Sequence, residues 1–155
     1  MPWHPVGTPS SGVGYPAPQA RPLAAQPIPA GFPSPAEDYM ERELDLAEYV
    51  VRNPAATFYL RVRGHSMRDA GIFDDDIVVV DRSLRPRDGS VVVAILDGEF
   101  TLKRLRLRLR SSDRPPAESL IVLEAAHPDY PDIPVSSERD FEVWGVATFV
   151  LHGLT

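Results

Sequence analysis

Ser66, in the short segment Gly64–Met67 (GHSM), is the first residue whose type and setting suggest catalysis. A serine hydroxyl becomes a nucleophile when a base within hydrogen-bond reach, roughly 2.6–3.2 Å, takes its proton. The neighbouring His65 is poorly placed for this, because successive side chains on an extended backbone point to opposite faces. The remaining histidines fall in the predicted tail, in a loop before a proline and near the end of the chain: His4, His127 and His152. The sequence therefore disfavours a histidine base.

Lys103 is the only lysine in the chain and is the second candidate for the base. In residues 101–110 (TLKRLRLRLR), a period of two puts four arginines on one strand face and Lys103 in a row of leucines on the other. Burying an ammonium is costly, so such a lysine is driven toward its neutral form, which can act as a general base. A serine–lysine pair is a known variant of the serine–histidine–aspartate arrangement. The alternative, a strand lysine whose ammonium reaches solvent, stays open on this pattern alone.

The elements around these two residues are predicted to be strands. Residues 58–63 (FYLRVR) alternate apolar and polar side chains. Further runs that are β-branched or alternating follow at 76–81, 90–96, 99–110, 119–125 and 141–150. Asp97-Gly98 is a strong hairpin signal between the third and fourth of these six segments. Many short strands with a single early helix predict a mostly β domain of the β-sandwich or small-barrel type.

One helix is predicted before these strands. Apolar side chains at spacings of 4, 3 and 4 residues suit one helical stripe: Met40, Leu44, Ala47 and Val51. Asp45 is also a possible N-cap for a shorter helix, and Leu46–Arg52 is the better supported half. Asn53-Pro54 ends either version.

The first 35 residues differ in composition from the rest of the chain. They hold ten of the 17 prolines and a single charged side chain, Arg21. Proline cannot donate to a helix or sheet ladder, and it biases its predecessor toward extended backbone. We expect residues 1–35 to form a flexible, largely disordered arm and residues 36–155 to form one domain.

Charge and composition narrow the class of protein. The 16 basic against 22 acidic residues give a net charge of −6, which disfavours nucleic-acid binding by bulk electrostatics. Cysteine is absent, so neither disulfides nor thiolate metal sites can form. We find neither a secretory leader nor an apolar run of about 18 residues, and therefore expect a soluble, cytoplasmic protein. The acidic run Asp74–Asp76 is expected to be a solvated turn rather than a metal site, and the arginine face an exposed strand surface.

Three stretches together resemble the LexA-type self-cleaving serine peptidases. Residues 64–83 (GHSMRDAGIFDDDIVVVDRS) resemble the serine segment of that family, and residues 97–105 (DGEFTLKRL) resemble its lysine segment. Residues 30–39 (AGFPSPAEDY) resemble the cleavage region, with the scissile bond between Ala30 and Gly31. The resemblance extends to residue 150, leaves the first 29 residues unexplained, and is strongest to the members that act in SOS mutagenesis.

The resemblance implies a role for each of these residues. Ser66 is the expected nucleophile, Lys103 its general base, and the backbone N–H groups of His65 and Ser66 the expected oxyanion hole. The resemblance also implies a homodimer, stimulation by the RecA–single-stranded DNA filament, and a shortened form that partners a translesion DNA polymerase subunit, without metal or cofactor. The 34 residues between Gly31 and Ser66 span roughly 110 Å when extended. Cleavage within one chain and cleavage of a dimer partner therefore both stay open.

Three other classes of protein share parts of this pattern. A transcriptional repressor of the LexA or phage type would need an N-terminal helix-turn-helix, which residues 1–35 are too short and too proline-rich to build. A signal peptidase also uses serine and lysine, but it would carry a membrane segment. A non-catalytic interaction module with a vestigial site is disfavoured by the joint presence of Ser66, Lys103 and a plausible cleavage bond.

Overall fold

The computed structural model describes residues 20–24, 27–33, 35, 40–109 and 119–155. By its contacts the chain divides into two units, residues 1–49 and residues 50–155. The first unit contains an antiparallel pair of strands, β1 (Arg21–Ala24) and β2 (Met40–Leu44). The helix α1 (Leu46–Val50) follows β2 and ends at the first residue of the second unit.

The second unit is built on one antiparallel sheet of seven strands. In chain order these are β3 (Thr57–Arg61), β4 (Ile77–Asp81), β5 (Val91–Leu96), β6 (Glu99–Leu109), β7 (Ser119–Glu124), β8 (Ile133–Val135) and β9 (Phe141–Leu151). Their order across the sheet is β3-β4-β9-β5-β6-β7-β8. The predicted mostly β fold with a short helix is therefore confirmed. The three-residue β8 is the one strand of this sheet that the sequence pattern did not predict.

The sheet packs apolar side chains on both of its faces. Val92 of β5 belongs to one buried cluster, with Leu105 and Leu123, whereas Val93 belongs to a second cluster, with Val80. Because consecutive side chains of a strand point to opposite faces, the two clusters lie on opposite sides of the sheet. Burial on both faces explains why β4 and β5 are nearly continuous valine runs rather than alternating ones.

The turn between β5 and β6 sets the register that positions Lys103. Asp97 and Gly98 both have positive φ, 51° and 84°, as a two-residue type I′ hairpin turn requires. The Asp97 carboxylate accepts hydrogen bonds from the Arg139 guanidinium (2.6 Å) and from the Asp140 N–H (3.2 Å). With the turn fixed, Lys103 pairs with Val92 of β5. The hairpin predicted at Asp97-Gly98 is thus confirmed.

The long helical stripe predicted from Met40 to Val51 is wrong in its first half. Met40–Leu44 is strand β2, and only Leu46–Val50 is helical. Asp45 ends the strand and caps the helix, because its carboxylate accepts the Glu48 N–H at 3.1 Å. The spaced apolar residues of the predicted stripe therefore do not belong to one helix, because the first two lie in strand β2.

The predicted arm is only partly covered by the structure. Within residues 1–35, Arg21–Ala24 forms β1 and pairs with β2, a pairing that the proline-rich composition did not suggest. Residues 1–19, 25–26 and 34 lie outside the described residues. The boundary between arm and domain at residue 35 stays a prediction.

No helix in the described part of the chain is long and apolar enough to cross a membrane.

Gly145 occupies a position on β9 where a side chain does not fit. A Cβ there would stand 2.6 Å from Cγ1 of Val80 and 3.4 Å from the backbone oxygen of Asp81. We expect Gly145→Ala to lower the free energy of unfolding by about 1–3 kcal/mol, because β4 or β9 must shift to accept the methyl group. Gly153→Ala is the control, since its Cβ meets nothing closer than 3.9 Å. Equal denaturation midpoints for the two variants would contradict this account of the sheet.

Candidate active site

Ser66 lies in a loop that is anchored on both sides. Before it, Gly64 has a φ of 94° and donates its N–H to the Asp74 carboxylate at 2.6 Å. After it, the Met67 side chain is 2% exposed and packs in the cluster that contains Val80. The backbone oxygen of Ser66 itself accepts the Ala126 N–H at 2.7 Å. The loop is therefore held by side-chain packing as well as by backbone bonds.

The Lys103 amine is hydrogen-bonded to the Ser66 hydroxyl. Lys103 Nζ lies 2.9 Å from Ser66 Oγ, 3.1 Å from Thr101 Oγ1 and 3.1 Å from the Leu102 backbone oxygen. The residue is 8% exposed, so the row of leucines in the sequence correctly indicated its burial. The alternative of a lysine that reaches solvent is therefore wrong.

Burial controls the protonation of this amine. It lowers the pKa of Lys103 below the ordinary value of a lysine, because the charged form loses hydration. All three neighbours of Nζ are oxygen atoms that can accept a hydrogen bond from the amine. In the neutral form, the two N–H groups can be donated to Thr101 Oγ1 and the Leu102 oxygen, which leaves the lone pair for the Ser66 O–H.

Two backbone N–H groups at Ser66 are left without an acceptor in the part of the chain that the structure describes. In the described residues, neither the His65 N–H nor the Ser66 N–H is donated to an acceptor. Two adjacent N–H groups of this kind have the chemistry of an oxyanion hole. The His65 side chain is exposed.

None of the histidines in the described part of the chain contacts the Ser66 hydroxyl. His152 Nδ1 lies 2.6 Å from Asp76 Oδ1, and the ring of His127 packs edge-on against Tyr130. His4 lies outside the described residues. The preference for Lys103 over a histidine base therefore agrees with the geometry.

Asp74 and Asp75 of the acidic run lie in an exposed turn, as predicted, but Asp76 does not. Asp76 is 4% exposed and bonds the Phe73 N–H at 2.7 Å. Burial alone would raise the pKa of Asp76, but the bond from Phe73 and the contact with His152 lower it below its ordinary value. In the residues that the structure describes, no group of three or more histidine, aspartate or glutamate side chains is placed to hold a metal ion.

Two residues that shape the site were not singled out from the sequence. Thr101 is two residues before Lys103 and therefore lies on the same face of β6. The alternation of side chains gave no reason, however, to expect a hydrogen bond between Thr101 and Lys103 Nζ. Asp74 bonds Gly64 across the loop, and sequence spacing carries no signal for such a bond. Both depend on how the strands and turns fold over each other.

Two arginines on the arginine face of β6, Arg104 and Arg106, are paired with acids. Arg106 Nε lies 2.8 Å from the Glu124 carboxylate, and Arg104 lies 3.7 Å from the same group. Arg106 also lies 3.9 Å from Asp88. This local pairing removes much of the positive charge that a nucleic-acid surface would need.

The predicted cleavage bond lies in an exposed part of the first unit. Ala30 and Gly31 are exposed, and a Cβ on Gly31 would meet no atom within 4 Å. Two large side chains flank the bond in solvent, Ile28 at 91% and Phe32 at 93% exposure. Exposed small residues are accessible to a nucleophile.

Comparison with known proteins defines the class. Residues 22–148 match the family described as Peptidase S24-like. Protein ImpA of Salmonella typhimurium is 42% identical over 150 residues, which cover 97% of this chain and 93% of that protein. Protein MucA of Escherichia coli is 46% identical over 131 residues, 84% of this chain and 83% of that protein. The LexA repressor of Halorhodospira halophila is 38% identical over 128 residues, 81% of this chain and 51% of the repressor.

The chain therefore belongs to the Peptidase S24-like family, the self-cleaving serine peptidases of the LexA type. Its likeness to ImpA and MucA confirms the predicted resemblance to the SOS mutagenesis members, of which UmuD is the type.

Proposed function

We propose that this UmuD-like SOS mutagenesis protein cuts its own chain between Ala30 and Gly31, with Ser66 as nucleophile and Lys103 as general base. The observation that carries the proposal is the 2.9 Å contact between Lys103 Nζ and Ser66 Oγ, made by a lysine that is 8% exposed. Serine attack needs a base that is close and neutral, and this pair supports both requirements.

The proposed reaction follows from the contacts of the amine. Neutral Lys103 takes the proton of Ser66 Oγ as the oxygen attacks the carbonyl carbon of Ala30. The N–H groups of His65 and Ser66 stabilise the resulting oxyanion. The lysine ammonium then gives its proton to the Gly31 nitrogen as the C–N bond breaks, which leaves Ala30 esterified to Ser66. Water, deprotonated by Lys103, hydrolyses the ester and restores the serine.

The partners of the protein follow from the same family assignment. We infer a cytoplasmic homodimer that is stimulated by the RecA–single-stranded DNA filament. In this proposal the form beginning at Gly31 associates with a UmuC-type translesion polymerase subunit. If the arm ends at residue 35 as the sequence predicts, the cut removes most of the arm. Neither metal nor cofactor takes part in the reaction written above.

Two competing functions make different predictions. The match to the H. halophila protein favours a repressor of the LexA type, but that match covers 51% of the repressor against 93% of ImpA. A non-catalytic module with a vestigial site would not need a buried lysine on the serine hydroxyl. It would also show no cleavage under any condition.

The experiment that tests the proposed function is incubation of the full chain with RecA, single-stranded DNA and ATP, followed by intact mass measurement and N-terminal sequencing. We expect one stable product that begins at Gly31, because Ala30 and Gly31 are small and exposed. Omission of ATP is the control for the filament. A product with another first residue would remove the assignment of the bond, and an uncut chain would favour the vestigial module.

Thr101 gives a further prediction about the base. Thr101→Val keeps the branched shape but removes an acceptor of the Lys103 amine, and we expect the plateau rate of self-cleavage above the midpoint to fall by roughly 10-fold, because the amine is less well held toward Ser66. Because the ammonium loses a hydrogen-bond acceptor, the pKa of Lys103 should fall further and the midpoint of the pH–rate profile should move to lower pH. Thr148→Val is the control, since its hydroxyl bonds the Val79 oxygen at 3.3 Å and has no link to Lys103. An unchanged midpoint would show that Thr101 does not act on the amine.

A further inference from the structure

An open pocket of about 430 Å³ lies beside Ser66 in the second unit. Five residues line it: His65, Arg68, His127, Asp129 and Tyr130. Two backbone bonds tie the segment that carries His127 to the serine loop, because the Ala126 N–H is donated to Ser66 O at 2.7 Å and the Asp69 N–H to Ala126 O at 2.8 Å. The pocket is therefore held at a fixed place next to the nucleophile.

One wall of the pocket is preformed by rings. His127 and Tyr130 lie with ring centroids 5.2 Å apart and planes at 90°. The Tyr130 N–H is donated to the His127 backbone oxygen at 3.2 Å, and the Asp129 N–H to His127 Nδ1 at 3.1 Å. The His127 side chain is only 8% exposed, whereas Tyr130 is 40% exposed. Of the two residues, Tyr130 is therefore the more accessible to a side chain that enters the pocket.

The lining favours an aromatic side chain over an ion. Three of the five lining residues carry rings, and Arg68 adds a guanidinium, a group that is attracted to aromatic faces. The lining contains one guanidinium, that of Arg68, which lies 3.7 Å from Asp69, and one carboxylate, that of Asp129. The pocket therefore has no strong excess of either sign.

The cleavage segment carries one aromatic side chain next to the scissile bond. Phe32 is the second residue after that bond and is 93% exposed. In an extended segment it lies about 7 Å from the bond, a distance that suits a pocket beginning at the neighbour of Ser66. Ile28, on the other side of the bond, is equally exposed but offers no ring.

We propose that this pocket is the subsite that receives the Phe32 side chain during self-cleavage, with Tyr130 as a specificity-determining residue. The inference rests on the function proposed above. It holds whether the cleavage segment belongs to the same chain or to a second copy, because only the pocket and the sequence of the segment enter the argument.

The test is a double-mutant cycle on the full chain, with self-cleavage followed by intact mass at alkaline pH. Phe32→Ala and Tyr130→Ala should each slow cleavage by roughly 10-fold, and the double variant should be no slower than roughly 10-fold, because both remove the same contact. The combination of Ile28→Ala with Tyr130→Ala should instead show effects that multiply. Tyr59→Ala removes another exposed tyrosine, on β3, and should leave the rate unchanged.

The possible failures can be told apart. Effects of Phe32→Ala and Tyr130→Ala that multiply to roughly 100-fold, or a Tyr130→Ala chain that cleaves at the parental rate, would overturn the subsite while the parent still cuts at Ala30-Gly31. A parent that does not cut at that bond would overturn both proposals. Melting temperatures close to that of the parent, expected for such exposed side chains, would show that a slower rate is not the result of unfolding.

Discussion

Ser66→Ala is expected to abolish self-cleavage at every pH, with a rate reduced by at least roughly a thousandfold. The hydroxyl is the proposed nucleophile, and the second hydroxyl on the Lys103 amine, that of Thr101, lies farther from it, at 3.1 Å against 2.9 Å. The fold should be little affected, because the loop is anchored by Met67 and by backbone bonds rather than by Oγ. We expect the free energy of unfolding to change by about 1 kcal/mol, the typical value of one hydrogen bond. Cleavage is measured by intact mass and stability by thermal unfolding.

Ser90→Ala is a matched control for this variant. Ser90 Oγ accepts the Arg87 N–H at 2.9 Å, so its loss also removes one hydrogen bond, but away from Lys103. Cleavage should continue in this chain. Undiminished cleavage in Ser66→Ala would exclude the serine mechanism outright.

Lys103→Arg is the second change with a large expected effect. It keeps the positive charge, but arginine stays protonated throughout the accessible pH range and cannot take the serine proton. We expect this variant and Lys103→Ala to be inactive. Arg104→Ala changes the next residue, on the opposite strand face, and should remain active.

The parent should show the protonation of Lys103 in its pH–rate profile. A lysine of ordinary pKa, about 10.4, is neutral in only about one molecule in 2,500 at pH 7. Because burial lowers the pKa of Lys103, the neutral, active fraction is larger at each pH below that value. The rate should rise with pH and level off above the folded pKa. An active Lys103→Arg chain with the parental profile would contradict the assignment of the base.

The strands and the burial of Lys103 were predictable because they depend on local patterns. A period of two identified the face of β6 that is buried, and Asp97-Gly98 fixed the turn and hence the register of Lys103 against Val92. Resemblance to a family supplied what the pattern left open, namely that the buried lysine reaches this particular serine. The 2.9 Å contact is the outcome of both.

What could not be predicted depends on contacts between distant parts of the chain. The pairing of Arg21–Ala24 with Met40–Leu44 places a proline-containing strand where composition suggested a flexible arm. Asp76 was expected in solvent, because three successive aspartates are typical of a turn, but it contacts His152, which is 76 residues away along the chain. Spacing along the sequence carries no signal for such contacts.

The most direct test of the proposed dyad uses the fact that Lys103 is the only lysine in the chain. Labelling lysine with ¹³C at the ε carbon gives a single side-chain NMR signal that needs no assignment, and its shift with pH reports the pKa of Lys103. We predict a pKa below the ordinary value of about 10.4, equal to the midpoint of the self-cleavage rate profile of the same full-length chain. A lysine that titrates at about 10.4, or a rate midpoint that does not coincide with the titration, would contradict the assignment of Lys103 as the base for Ser66.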